Sequence, residues 1–300
     1  MLHPRFMPPS APKRERYQRA LGALLLLAAS LSLPLCLGAP PAHAAGLPRI
    51  ASINACTDQL LMALADPEQI LGLSPYARDP ARSWDAAKAR QFPQLSGAAE
   101  DVLVLAPDVV VAGRFTRLAT RQLLKDKGLH VVEFDVARSL DDVKKSIRQM
   151  GEVTQHPDRA TAEINRLDKA IAHAHDVASR KPWRVLAVSR RGWVSGRDSL
   201  TSSLLANAGL ANAAGDLGIK SGGFASLEAI VGLKPDFIMV SEDSGFAEDE
   251  GSAFLLHPAL ERFYPASKRI VIPERLTVCG GPMLAEALER LASELERVDH

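Results

Sequence analysis

Residues 157–179 read PDRATAEINRLDKAIAHAHDVAS, and this stretch decides the architecture. Nothing in it favours a strand. Proline opens it, where a first helical turn has no use for the missing N–H. Ala160, Ile164, Leu167, Ile171, Ala174 and Ala178 then recur at three- and four-residue steps, the period of an amphipathic helix. At 1.5 Å per residue such a helix spans about 33 Å, the width of a small domain. Placed between two α/β halves it would be a rigid strut. The same period also fits an ordinary packing helix inside one domain.

On both sides of this stretch, short β-branched runs alternate with helical ones. Strand candidates are Ile50–Asn54, Val109–Ala112, Val131–Phe134, Val185–Ser189, Phe237–Val240 and Ile270–Ile272. Helical patterns fall at Asp58–Ala65, Arg117–Lys127, Asp142–Val153, Ser199–Ala208 and Leu284–Arg297. Alternation of this kind predicts an α/β fold: two α/β lobes with mainly parallel sheets, joined by one long helix.

The two halves also share a pattern. Glu100 precedes Pro107-Asp108 by seven positions, with a short apolar helix between and a buried strand after. Glu228 stands in the same relation to Pro235-Asp236. Local chemistry accounts for part of this, because glutamate suits a helix N-terminus and Pro-Asp ends a helix. Repetition also implies two lobes of similar build, each exposing one glutamate on an equivalent face.

At the N-terminus, Arg5, Lys13, Arg14, Arg16 and Arg19 precede the apolar run from Leu21 to Ala39 and then Ala42-His43-Ala44. That order is the layout of an export signal, residues 1–44, cleaved near Ala44. Pro34 interrupts the run, which argues against a permanent anchor. Leu35 before Cys36 does not suit lipidation. Cleavage leaves 256 residues with 31 basic and 34 acidic side chains, a net charge of −3 and no basic patch for nucleic acid. Two cysteines remain, Cys56 and Cys279. An oxidising compartment allows them to pair, and two separate buried cysteines fit the sequence as well.

Taken together, these residues resemble the periplasmic binding proteins for iron–siderophore complexes and cobalamin, the class in which one helix joins two α/β lobes. The resemblance is carried by Arg49-Ile-Ala-Ser-Ile-Asn54, Ile70-Leu-Gly-Leu-Ser-Pro-Tyr76, both Glu…Pro-Asp units and the central helix. It covers residues 49–298, which divide into an N-lobe of about 49–140, a linking helix of about 157–180 and a C-lobe of about 184–298. It implies a periplasmic monomer that captures a small metal chelate in a cleft between the lobes and delivers it to an ABC permease dimer in the inner membrane. Glu100 and Glu228 match the glutamates that dock such proteins to arginines of the permease. Energy would come from a separate ATPase, and the sequence has no GxxxxGK[ST] phosphate loop.

Cleft residues belong in loops at the carboxyl ends of strands. Asn54, Cys56 and Thr57 follow the first strand; Tyr76, Arg78 and Trp84 follow Ile70–Ser74; Arg114 and Phe115 follow Val109–Ala112. In the second half, Arg190, Arg191, Trp193, Phe224, Glu242, Asp243 and Arg275 are the corresponding set. Tyr76 matches a family position that stacks on the ligand. Aromatic faces with arginines suit a large, flat or anionic chelate, a ferric siderophore first and a corrinoid or haem next. The histidines do not form a ligand-spaced set, so no resident metal or cofactor is expected. The rival reading is a secreted enzyme with Cys56 as nucleophile. It lacks a G-x-S-x-G or H-E-x-x-H motif, and a disulfide to Cys279 would end it.

Overall fold

In the computed structural model, which describes residues 46–178, 181–241 and 253–299, the two Pro-Asp turns have the same atomic structure. The expected export segment (residues 1–44), residues 179 and 180 and the candidates Glu242 and Asp243 lie outside the described residues. Arg49 N donates to Asp108 Oδ2 at 2.7 Å, and the Arg49 guanidinium donates to the carbonyls of Leu105 and Ala106. Arg184 repeats this: its N donates to Asp236 Oδ2 at 2.7 Å, and its guanidinium lies 3.4 Å from the carbonyls of Leu233 and Lys234. Ala106 and Lys234 both take the left-handed conformation that ends a helix, with φ of 43° and 51°. The repeated Pro-Asp is thus half of a clasp. Its other half is an arginine that opens the neighbouring strand and occupies carbonyls a helix end leaves unpaired.

Each clasp starts a sheet. Strands β1 (Ile50–Ser52), β2 (Ile70–Gly72), β3 (Val109–Gly113) and β4 (Val131–Phe134) form a parallel sheet in the order β2-β1-β3-β4, with Ile50 opposite Val109. The second sheet holds β5 (Arg184–Ser189), β6 (Trp193–Ser195), β7 (Ala211–Asn212), β8 (Gly222–Phe224), β9 (Phe237–Val240) and β10 (Arg269–Val271). Its order is β10-β9-β5-β6-β8, with β7 also beside β5. Strands β10, β9 and β5 are parallel; β6 runs antiparallel to both β5 and β8.

That antiparallel edge differs from the sequence reading, which put Trp193 and Phe224 in loops. They face each other across β6 and β8. Three-residue strands, one beginning Gly222-Gly223, carry no alternation to read. Gly222 is there for space: a Cβ on it would come within 2.4 Å of the Trp193 ring.

Ten helices join these strands among the described residues: α1 (Ala55–Leu64), α2 (Ala86–Ala89), α3 (Ala99–Leu105), α4 (Leu118–Asp126), α5 (Leu140–Thr154), α6 (Pro157–Ala178), α7 (Leu200–Asn207), α8 (Leu227–Leu233), α9 (Pro258–Phe263) and α10 (Leu284–Asp299). None is long and apolar enough to cross a membrane. Asn54 caps α1 by accepting from the N–H groups of Cys56 and Thr57, and Ser139 with Asp142 forms a capping box on α5.

The long helix α6 buries Ala160, Leu167, Ala170, Ala174, Val177 and Ala178. Its small residues allow close approach: a Cβ on Gly151 of α5 would fall 2.5 Å from that of Ala160. Leu167 joins Leu288, Leu291 and Leu295 of α10 in one apolar cluster that also takes Ile50 and Val111 from the first sheet and Val185, Phe237 and Ile270 from the second. Each buried leucine contributes roughly 1.5–3 kcal/mol. Separate clusters cover the opposite faces, built on Val110 and Ala112 in one lobe and Leu186 and Ile238 in the other. The central parallel strands of both sheets are therefore buried on both sides, as parallel strands require. The fold is two α/β lobes joined by one long helix, with a core that runs through the strut.

Candidate functional site

The carboxyl ends of both sheets face two adjoining cavities. One, of about 270 Å³, lies over β5, β9 and β10 and is lined by Ser189, Trp193, Ser195, Thr201, Ser241 and Glu274 among others. The other, of about 170 Å³, lies over β1, β3 and β4, where Asn54, Cys56, Arg114, Phe115, Asp135 and Val136 line it. Thr277 and Val278 line both. The segment between β10 and α10 thus forms the partition between the two cavities.

A disulfide holds that partition in place. Cys56, in the first turn of α1, is bonded to Cys279, with Cα atoms 5.3 Å apart. Cys279 is buried, and Gln59 Nε2 lies 3.5 Å from its sulfur. Cys56 carries no thiol here, which removes the nucleophile on which the enzyme reading rested.

The structure brings some of the expected ligand residues together and sends others elsewhere. Asn54, Arg114 and Phe115 line the smaller cavity and Trp193 the larger. Phe115 is 80 % exposed and Val278 45 %, so the cleft presents bare apolar surface. Phe224, 68 % exposed, stacks edge-on against Trp193 with ring centroids 5.0 Å apart. Asn54 is occupied in capping α1. Arg114 pairs with Asp135 at 2.8 Å.

Tyr76 is exposed and borders neither cavity. Arg78 turns inward and donates to Phe92 O at 2.6 Å. Trp84 Nε1 donates to Glu286 Oε2 at 2.8 Å, tying the loop after β2 to α10. Arg191 sits exposed in the left-handed turn between β5 and β6, at φ 58°. Arg275 borders a separate depression with Glu286, Glu289 and Arg290. The sequence reading missed the hydroxyls of the larger cavity and the partition residues Thr277 and Val278. Serines and threonines drawn from five separated segments leave no local pattern; proximity to Cys279 was the one available cue.

Glu100 and Glu228 occupy corresponding places, exposed in the first turns of α3 and α8. Its own backbone N–H and Ser226 hold the Glu228 carboxyl below the usual carboxylate range. Among the described residues, groups of three side chains that could hold a metal ion are absent. His156 lies 3.2 Å from Asp66, and His173 lies 2.7 Å from Glu289.

Beneath the α1 cap lies a buried acid. Asp58 accepts from Ser74 N at 3.0 Å and from the Ser74 hydroxyl, which itself accepts from Tyr76 N at 3.3 Å. The carboxyl therefore anchors the turn that carries Tyr76. Burial pushes its pKa up to about 7, against the hydroxyls of Ser52 and Ser74, which pull it down. A raised acid binds its proton more tightly folded than unfolded. Its stabilising contribution is complete below pH 3.8 and is lost as pH rises to about 7. Urea midpoints should accordingly fall between pH 5 and pH 8, and Asp58→Asn should remove part of that slope. Parallel slopes for the two proteins would show that Asp58 does not titrate in this range.

A family model described as periplasmic binding protein matches residues 50–272. The chain belongs to the periplasmic binding protein family. A cobalamin-binding protein of Halobacterium salinarum is 25 % identical over 254 residues, covering 82 % of this chain and 68 % of the relative. The solved periplasmic haem-binding protein RhuT from Roseiflexus sp. RS-1, in its apo form, is 25 % identical with a TM-score of 0.68, covering 85 % of this chain and all of the other. The periplasmic vitamin B12 binding protein BtuF of Vibrio cholerae shares the fold at 16 % identity, with a TM-score of 0.63 over 84 % of this chain and 97 % of its own.

Proposed function

We propose that this periplasmic binding protein is the substrate-binding component of an ABC importer, capturing a metal chelate and delivering it to the permease. The observation that carries this reading is the pair of cavities, one from each sheet, meeting at Thr277 and Val278. A ligand seated there touches both lobes, and its presence is legible from outside as a filled cleft. Export through the N-terminal segment would put the protein in the periplasm, as a monomer. Glu100 and Glu228 would dock the two lobes to two basic sites of a permease dimer.

The arginines favoured a ferric siderophore. Arg78 donates to Phe92 O, Arg275 borders a separate depression, Arg191 is exposed and lines neither cavity, and Arg114 is paired with Asp135. What remains lining the cleft is Phe115, Val136, Trp193 and Val278, with Phe224 packed edge-on against Trp193, exposed apolar groups suited to the faces of a macrocycle. A corrinoid is the reading this lining supports best, and the cobalamin-binding relative from Halobacterium salinarum agrees with it.

The test is to purify the mature protein from periplasm and identify co-purifying ligand by absorbance and mass spectrometry. The stripped protein is then titrated with cyanocobalamin, haemin and a ferric catecholate, following tryptophan fluorescence. A corrinoid spectrum, or quenching by cyanocobalamin alone, is expected. Binding of the catecholate alone would restore the siderophore reading, and binding of none would overturn the chelate class.

A further inference from the structure

The larger cavity differs chemically from the rest of the cleft. Among the described residues its polar side-chain lining is the hydroxyls of Ser189, Ser195, Thr201, Ser241 and Thr277, the carboxylate of Glu274 and the indole N–H of Trp193. Among the described residues it has no cationic lining side chain. The hydroxyl contacts within the protein are long: Ser189 Oγ to Trp193 O is 3.4 Å and Thr277 Oγ1 to Glu274 O is 3.5 Å. Such bonds are weak, so these groups keep capacity for a ligand. A hydroxyl can both donate and accept, whereas an ionised carboxylate only accepts. The cavity as a whole therefore offers more acceptors than donors.

Size sets what can enter. Cavities of about 270 and 170 Å³ are each smaller than the ordinary range for a whole small-molecule site, about 300–1,000 Å³. A metal macrocycle must lie across the partition at Val278, with its faces on Phe115 and Trp193. Only its peripheral groups reach into the larger cavity. Charge sets which groups are accepted: among the described residues the two cavities together hold one arginine, Arg114, against the carboxylates of Asp135 and Glu274, and Arg114 is already paired.

We propose that the hydroxyl-lined cavity beneath Trp193 is a selectivity pocket for neutral, hydrogen-bond-donating groups on the ligand periphery, primary amides above all, and that Glu274 excludes carboxylates from it. This rests on the corrinoid reading of the cleft and deepens it. Amide N–H groups meet acceptors there. A ligand carboxylate would face Glu274 with no cation to balance it, and juxtaposed like charges are costly in a desolvated site. Glu274 is exposed at the mouth, so it acts on the ligand without supporting the fold.

The experiment compares two probes that differ only in this respect: an amide-bearing corrinoid, cyanocobalamin, and a corrinoid whose peripheral amides are carboxylates. Affinities are measured by tryptophan fluorescence for the full mature chain, for Glu274→Lys and for Thr201→Val, with thermal melts confirming that each is folded. The wild type should prefer the amide corrinoid by roughly tenfold or more. Glu274→Lys should abolish or reverse the preference, and Thr201→Val should weaken cyanocobalamin roughly three- to tenfold. If cyanocobalamin binds but both variants keep the wild-type affinities, the pocket assignment is wrong while the corrinoid reading stands. If the wild type takes the carboxylate corrinoid as well as or better than cyanocobalamin, the pocket assignment falls while the corrinoid reading stands; if it takes only haemin, both fall.

Discussion

With Glu100 and Glu228 both replaced by alanine, the protein should bind its ligand with unchanged affinity and fail to support uptake in cells that lack another copy. Each glutamate is exposed in the first turn of a short helix, one helix per lobe, and each helix ends in the same arginine–aspartate clasp. The clasp fixes the helix to the first strand of its sheet, and the shared core fixes the sheets to α6 and α10. Two like charges are thereby anchored one to each lobe, the arrangement that two basic sites of a permease dimer would read. Losing both should lower transport by roughly a hundredfold or more, with single alanines in between. Neither side chain borders a cavity, which is why affinity should not move. Transport at the normal rate in the double variant would dismiss the docking role.

The second large effect concerns Cys56 and Cys279. Replacing both with alanine should destabilise the protein by about 2–5 kcal/mol, because the bond closes a very long loop in the unfolded chain; the cysteines are 223 positions apart. For a protein of this size that corresponds to a fall in Tm of roughly 5–15 °C. Reducing agent should shift the wild-type melt toward the variant. The ligand should also bind more weakly, since Thr277 and Val278, which line both cavities, stand directly before Cys279. A variant that melts with the wild type would mean that core packing alone positions the partition.

Much of the fold was legible because it depends on short-range physics. The 3.6-residue period of α6 spans its full length in sequence, and the apolar residues it repeats are the ones buried or packed against the core. Parallel strands buried on both faces read as plain apolar runs, such as Val109–Ala112 and Phe237–Val240. Strands β6 and β8 were not legible. They are short and glycine-containing, and their pairing is decided by the fit of Gly222 against the Trp193 ring. The arginines show the same boundary. From sequence Arg78, Arg114 and Arg275 are alike; in the structure one holds a carbonyl, one pairs with Asp135 and one borders α10.

By itself the sequence determined the alternation of helices and strands, the long amphipathic helix and the repeated Glu…Pro-Asp pattern, since each is set by periodicity and helix-end chemistry within a few residues. Only the tertiary structure decided that the long helix joins two lobes, that Cys56 and Cys279 meet, where each arginine points and what the cleft is made of. The larger cavity gathers its hydroxyls from β5, β6, α7, the end of β9 and the segment before α10. No local interaction links those segments; burial of the common core brings them together.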